Sequence, residues 1–136
     1  MFSTTTQIRV RYGETDQMGF LYYGNYALYY EVGRTDMVRA LGLNYREMEE
    51  TGIIMPVVEL KSKYIRPALY DDLITVNTIL KEWPENHKII FHSELYNERA
   101  ELLNIGTTTL VFLEAKTRQK LPMPSLLAEK LKPYFT

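Results

Sequence analysis

Apolar and polar residues alternate from Thr6 to Tyr12, with Ile8, Val10 and Tyr12 on one side and Gln7, Arg9 and Arg11 on the other. A period of two predicts a half-buried strand. Gly13 ends it, and Glu14 to Phe20 is predicted as loop, with Gly19 supplying a flexible turn. The period then lengthens. Tyr26, Tyr29, Tyr30, Gly33, Met37 and Leu41 recur at spacings of three and four, the stripe of a helix facing a core. Leu28, Val32 and Val38 widen the apolar coverage and predict burial on more than one side. Asn25 suits the N-cap, with Tyr22 to Gly24 as a preceding turn. Leu41-Gly42-Leu43 has the form of a glycine C-cap with its trailing hydrophobic contact. Gly33 inside the helix costs about 1 kcal/mol relative to alanine, so a close approach by a strand or a partner chain is expected there.

Asn44 and Glu47 have capping-box spacing and predict a short second helix ending by Thr51-Gly52. From Ile53 the period returns to two. Strands are predicted over Ile53–Arg66, Leu73–Trp83, Lys88–Tyr96 and Leu102–Glu114. Pro56 marks an edge or a bulge in the first of these, where Val58, Leu60, Ser62 and Tyr64 face one way and Glu59, Lys61 and Lys63 the other. Ser125 is predicted to cap a last amphipathic helix carrying Leu126, Leu127 and Leu131. Short connections predict an antiparallel meander of the four later strands. The pattern is satisfied by an α+β fold: a five-stranded antiparallel sheet wrapped around one helix at about residues 26–41, in a single domain spanning 1–136.

Composition narrows the chemistry. The chain has 136 residues, 46% of them apolar, and a net charge of −1 without a block of lysine or arginine, so no nucleic-acid surface is indicated. It has no cysteine, which excludes disulfides, thiol nucleophiles and thiolate metal sites. No basic-then-apolar leader opens it, and no apolar run approaches the ~20 residues of a membrane span. A cytoplasmic location is the default expectation. Of eleven tyrosines, five fall between Tyr22 and Tyr30. They suit either core packing or a pocket wall, since tyrosine joins an apolar face to a polar tip.

Asp16 is the leading chemical candidate. It stands in a loop ahead of a helix start, where free N–H groups and partial positive charge can stabilise a substrate oxyanion. The other reading is that it caps a loop turn. His87 in a turn and His92 within a strand match no metal-ligand spacing. No serine lies in a G-x-S-x-G elbow, and no phosphate-binding glycine loop is present. Glu59, Lys61, Lys63 and Arg66 form either a solvated face or a groove for a phosphorylated ligand.

The segment Arg11-Tyr12-Gly13-Glu14-Thr15-Asp16-Gln17-Met18-Gly19, followed by Tyr22-Tyr23-Gly24-Asn25-Tyr26 and Glu31, resembles the hotdog-fold acyl-CoA thioesterases, in the 4-hydroxybenzoyl-CoA thioesterase branch that includes the YbgC-like proteins. Tyr64-Ile65-Arg66-Pro67-Ala68, Asp71-Asp72 and the closing strand with Glu114 are similar to that family too. The resemblance implies hydrolysis of an acyl-CoA thioester without a cofactor. It places the catalytic acid, nucleophile or general base, on Asp16. The backbone N–H that polarises the carbonyl falls on Tyr23, beside Gly24. Tyr12, Gly19, Tyr22, Asn25 and Tyr26 then become substrate-binding positions, and Lys63 and Arg66 candidates for the CoA phosphates. Many YbgC-like proteins have histidine where this chain has Tyr23; a backbone N–H role survives that change and an imidazole role does not. The resemblance further implies pockets at the interface of an edge-to-edge homodimer, with dimers associating into tetramers. A hotdog hydratase would need a histidine near the helix start, which is absent. The remaining alternative is a non-catalytic protein binding acyl-CoA or acyl carrier protein.

Overall fold

The structure, a computed structural model, describes residues 1–135. Strand β1 (Phe2–Arg9) is followed by a 3-10 turn at Tyr12–Glu14, a second at Tyr23–Asn25, helix α1 (Tyr26–Ala40) and helix α2 (Tyr45–Glu50). Strands β2 (Ile53–Ile54), β3 (Val57–Tyr64), β4 (Leu73–Leu80), β5 (Lys88–Tyr96), β6 (Leu102–Val111) and β7 (Leu113–Glu114) come next, and then helix α3 (Ser125–Leu131). Five strands make one antiparallel sheet in the order β1-β4-β5-β6-β3, and β2 pairs with β7 in a small separate ribbon. This is the expected hotdog arrangement, with α1 laid on the sheet.

Several details differ from the sequence expectation. β1 begins earlier and ends at Arg9, so Tyr12 belongs to a turn and is 79% exposed. The strand expected over Ile53–Arg66 is two strands, β2 and β3, parted at Met55-Pro56, where Pro56 has no N–H to give to a ladder. The four later strands are not a simple meander. β4, β5 and β6 follow one another, but β3 pairs with β6 at the far edge. The Ile65–Asp72 connection therefore crosses the end of the sheet. Three inter-strand steps are about 14 Å, well within the ~26 Å that eight extended residues reach. The loop is pinned as it crosses: the Ile65 and Arg66 N–H groups donate to Leu103 O, and Asp71 N–H to Val10 O.

Asn44 caps α2 as expected, its Oδ1 accepting the Glu47 N–H at 2.7 Å. Asn25 sits at the N-cap position of α1, but its side chain makes no cap bond. Ser125 is the first residue of α3, after Pro124 at the cap position. α1 buries Tyr26, Tyr29, Tyr30, Gly33, Met37 and Val38. Leu28 and Val32 point away from the sheet and stay exposed, so burial is confined to one broad side. At Gly33 a methyl group would lie 2.8 Å from Val76 Cγ1 and closer still to Thr78 Oγ1. The close approach expected from the sequence is thus made by β4. Gly33 also falls between two core clusters, one around Tyr26, Tyr29 and Tyr30 and one around Met37, Val38 and Phe112. The predicted inner face of β3 keeps its phase from Leu60 to Tyr64, but a register shift between Val57 and Glu59 interrupts it at Val58, and the strand remains open: Val58 is 56% and Leu60 45% exposed. β3 is an edge strand with a neighbour on one side only.

Candidate active site

The loop between β1 and α1 is held by one acid, Glu14. Its carboxylate accepts the Arg11 N–H and the Tyr29 hydroxyl, both at 2.9 Å, and pairs with the Arg11 guanidinium at 3.2 Å. Its carbonyl oxygen accepts the Tyr22 N–H and Asn25 Nδ2, again at 2.9 Å. Asn25 therefore ties the loop to the helix start instead of capping the helix. Burial pushes the Glu14 carboxyl up, but the bonds from Arg11 and Tyr29 outweigh it and hold it below its ordinary value. Burial and the Glu14 carboxylate both drive the Tyr29 phenol well above the usual tyrosine range.

Asp16 sits in a tight turn. Its Oδ1 accepts the N–H groups of Met18 at 2.9 Å and Phe20 at 3.2 Å, while Gly19 N–H donates to the Asp16 carbonyl oxygen. Gly19 has φ +77°, a left-handed conformation that suits glycine. Among the described residues no protein donor reaches Asp16 Oδ2. The carboxylate is oriented through one oxygen, Oδ1.

Asp16 lines a cleft of about 280 Å³ together with Met18, Phe20, Tyr23, Tyr26, Tyr64 and Arg66. The Tyr23–Asn25 turn runs straight into α1. Asn25 N–H is bonded to Tyr22 O, whereas among the described residues neither the Tyr23 nor the Gly24 N–H has a protein acceptor. They are orphan donors of a helix start. A methyl group at Gly24 would come within 2.9 Å of the Tyr22 ring, which is 45% exposed. The Tyr26 ring packs edge-on against Tyr64 at 5.0 Å, and Tyr26 Oη accepts the Ala68 N–H at 3.4 Å.

Of the residues singled out in the sequence, Asp16, Tyr23, Tyr26 and Arg66 meet at this cleft. Gly19, Tyr22, Gly24 and Asn25 lie in the adjoining loop and turn and are not among the lining residues. Tyr12 packs edge-on against Tyr70 at 5.7 Å, outside the cleft lining. Lys63 is on the β3 face opposite Ser62 and Tyr64 and does not line the cleft, while Arg66 does and lies 3.7 Å from Glu101. Sequence reasoning missed Tyr64 as a cleft wall, although its inward phase at a strand end was the available signal. Among the described residues no group of three His, Asp or Glu is arranged to hold a metal ion. No helix is long and apolar enough to cross a membrane.

The sequence profile of the thioesterase-like superfamily matches residues 10–131. A Bacillus subtilis protein, YneP, provisionally named an acyl-CoA thioesterase, is 33% identical over 86% of this chain and 84% of its own. The acyl-CoA thioester hydrolase YbgC of Escherichia coli is 25% identical over 90% and 91% of the two chains. Among solved structures, a DHNA-CoA thioesterase from Staphylococcus aureus superposes with a TM-score of 0.90 at 33% identity, covering 98% of this chain and 89% of that one. Profile, relatives and architecture agree, and the chain belongs to the thioesterase-like superfamily.

Proposed function

We propose that the protein hydrolyses acyl-CoA thioesters, releasing a carboxylic acid and free CoA. The observation that carries this reading is the meeting, in one cleft, of a carboxylate with a free oxygen and a helix start with unpaired N–H groups. The thioester carbonyl oxygen lies against the N–H groups of Tyr23 and Gly24, which take up the negative charge that develops on it. Asp16 Oδ2 either attacks the carbonyl carbon or removes a proton from the attacking water. The C–S bond then breaks and CoA leaves as thiolate, a good leaving group that needs no stronger nucleophile. In the first route water hydrolyses the resulting anhydride. The names of YneP, YbgC and the Staphylococcus aureus thioesterase support the reaction class.

The working unit in this reading is a homodimer. β3 is an edge strand, and its apolar residues Val58 and Leu60 are exposed in the single chain. Pairing β3 with its own copy covers both its open hydrogen-bonding edge and these side chains. A thiol-release assay over a panel of acyl- and aroyl-CoA esters tests the reaction. Release that disappears in Asp16→Asn supports it. Binding with no release from any ester overturns it in favour of a binding protein.

A further inference from the structure

Tyr26 is 3% exposed, yet it lines the Asp16 cleft. Its Oη accepts the Ala68 N–H, and among the described residues nothing accepts its own O–H. A buried hydroxyl with an unused proton calls for an acceptor from outside the chain. Burial pushes the phenol above the usual tyrosine range. The Ala68 N–H pulls the other way, and Tyr64 and the Asp16 carboxylate push with burial. Tyr26 therefore keeps its proton at neutral pH and stays a donor.

One strip of backbone bonds fixes this phenol relative to Asp16. Phe20 N–H donates to Asp16 Oδ1, Leu21 N–H donates to Ala68 O, and Ala68 N–H donates to Tyr26 Oη. A bridge between Phe20 and Leu69 ties the same two segments together. The carboxylate and the phenol thus hang from one strip and line one cleft, and no hydrogen bond joins them directly. A group that links them must accept from the phenol and donate to the carboxylate. The reacting centre of a thioester carries no proton on oxygen or sulfur and cannot donate. Water does both.

We infer that Tyr26 is a further catalytic residue that holds the attacking water: its O–H donates to the water oxygen while Asp16 Oδ2 accepts one of the water's protons. This rests on the thioesterase reading and chooses the second of its two routes. Asp16 takes the proton as the water oxygen bonds to the carbonyl carbon, and the C=O electron pair moves onto oxygen, against the Tyr23 and Gly24 N–H groups. When that pair returns, the C–S bond breaks. Sulfur leaves with its electrons and takes the proton from Asp16. The products are the carboxylic acid and the CoA thiol, and Asp16 is a carboxylate again. The Tyr26 proton stays on Tyr26; its hydrogen bond turns a lone pair of the water toward the carbonyl carbon. No acyl group rests on the enzyme.

The test is Tyr26→Phe, which keeps the ring and its packing on Tyr64. Its kcat is expected to fall about 10–100-fold, the scale of one hydrogen bond made by the reacting water. Its Kd for a non-hydrolysable thioether analogue of the best ester is expected to stay close to wild type. An unchanged kcat, or a loss confined to KM and Kd, overturns the proposal. If Tyr26→Phe does not fold, a fluorinated tyrosine placed at position 26 carries the test. Its phenol is more acidic and a phenolate cannot donate, so kcat is expected to fall off at a lower pH than in the wild type; an unmoved profile overturns the proposal. The route is read from the wild type in a single turnover in heavy-oxygen water. The label is expected in the released acid and none in Asp16, and label or an acyl group found on Asp16 overturns the proposal. A wild type that releases no thiol from any ester overturns the thioesterase reading and this proposal with it. Wild-type hydrolysis that survives Tyr26→Phe overturns this proposal alone.

Discussion

The Tyr64 hydroxyl donates to the carbonyl oxygen of Tyr23 at 3.0 Å. One hydrogen bond thus couples the end of the edge strand to the Tyr23–Asn25 turn, whose Tyr23 lines the cleft. Tyr64→Phe removes it while leaving the edge-on packing on Tyr26. The expected stability loss is small, about 0.5–1.5 kcal/mol. The proposed hydrolysis is expected to suffer in kcat more than in KM, because the affected donors act on the charge that develops at the carbonyl oxygen. Steady-state kinetics and thermal melts on the same preparation check this; a change in KM alone would refute it.

Asp16→Asn keeps an oxygen in the place of Oδ1, so the bonds from the Met18 and Phe20 N–H groups survive and the turn is preserved. The expected outcome is an unchanged circular dichroism spectrum and melting point with thiol release lowered about 10²–10⁴-fold, the usual range for a group that moves a proton. Near-normal turnover on the best ester would remove Asp16 from the mechanism.

The Asp16 turn was legible because its chemistry is local: an acid, Gly19 and a helix start lie within ten residues. The order β1-β4-β5-β6-β3 was not legible, since short connections suggest adjacency and only the crossing of Ile65–Asp72 over the sheet end decides otherwise. For the same reason the alternation shows Tyr64 only as a strand-face residue, and its place in the cleft wall follows from the fold. The face of Leu60 is legible from the alternation, but the irregularity at Val58 is not, and the exposure of both depends on which strand lies at the edge, a property of the whole sheet.

Glu14→Gln tests the anchor of the loop. The folded-state pKa of Glu14 lies below its ordinary value of 4.5, so its carboxylate favours the folded state at neutral pH and the benefit fades as pH falls through the folded pKa. The wild type is expected to be the more stable at pH 7 by about 1–3 kcal/mol, the scale for hydrogen bonds to a charged group. The two proteins should converge in stability as the pH drops below 4.5. Denaturant melts across pH 3–7 measure this, and a constant difference across the series would contradict it.

Gly33→Ala sets two effects against each other. Alanine improves helix propensity by about 1 kcal/mol, but its methyl group would meet Val76 Cγ1 at 2.8 Å and crowd the buried Thr78 hydroxyl. Overpacking of this kind costs about 1–3 kcal/mol. A net destabilisation on the order of 1 kcal/mol is expected. Thr78→Ala should be less harmful in the Gly33→Ala background than alone, because it removes one side of the collision. A double-mutant cycle by chemical denaturation measures that coupling, and strict additivity would show that the helix shifts away instead.

Leu60→Lys addresses the edge strand. Leu60 lies mid-strand on the inward face of β3 and is already 45% exposed, so a single chain has little stability to lose from a charge there. A second copy paired along β3 would have to bury two such charges close to its two-fold axis, where like charges repel and desolvation is costly. The variant is expected to keep its circular dichroism spectrum, run as a monomer by light scattering where the wild type runs as a dimer or larger, and lose thiol release in step. Coupling of size to activity is the critical result. A monomeric variant with full turnover would mean that the Asp16 cleft is complete within one chain and that β3 pairing serves assembly alone. A variant that stays dimeric would place the interface elsewhere on the molecule.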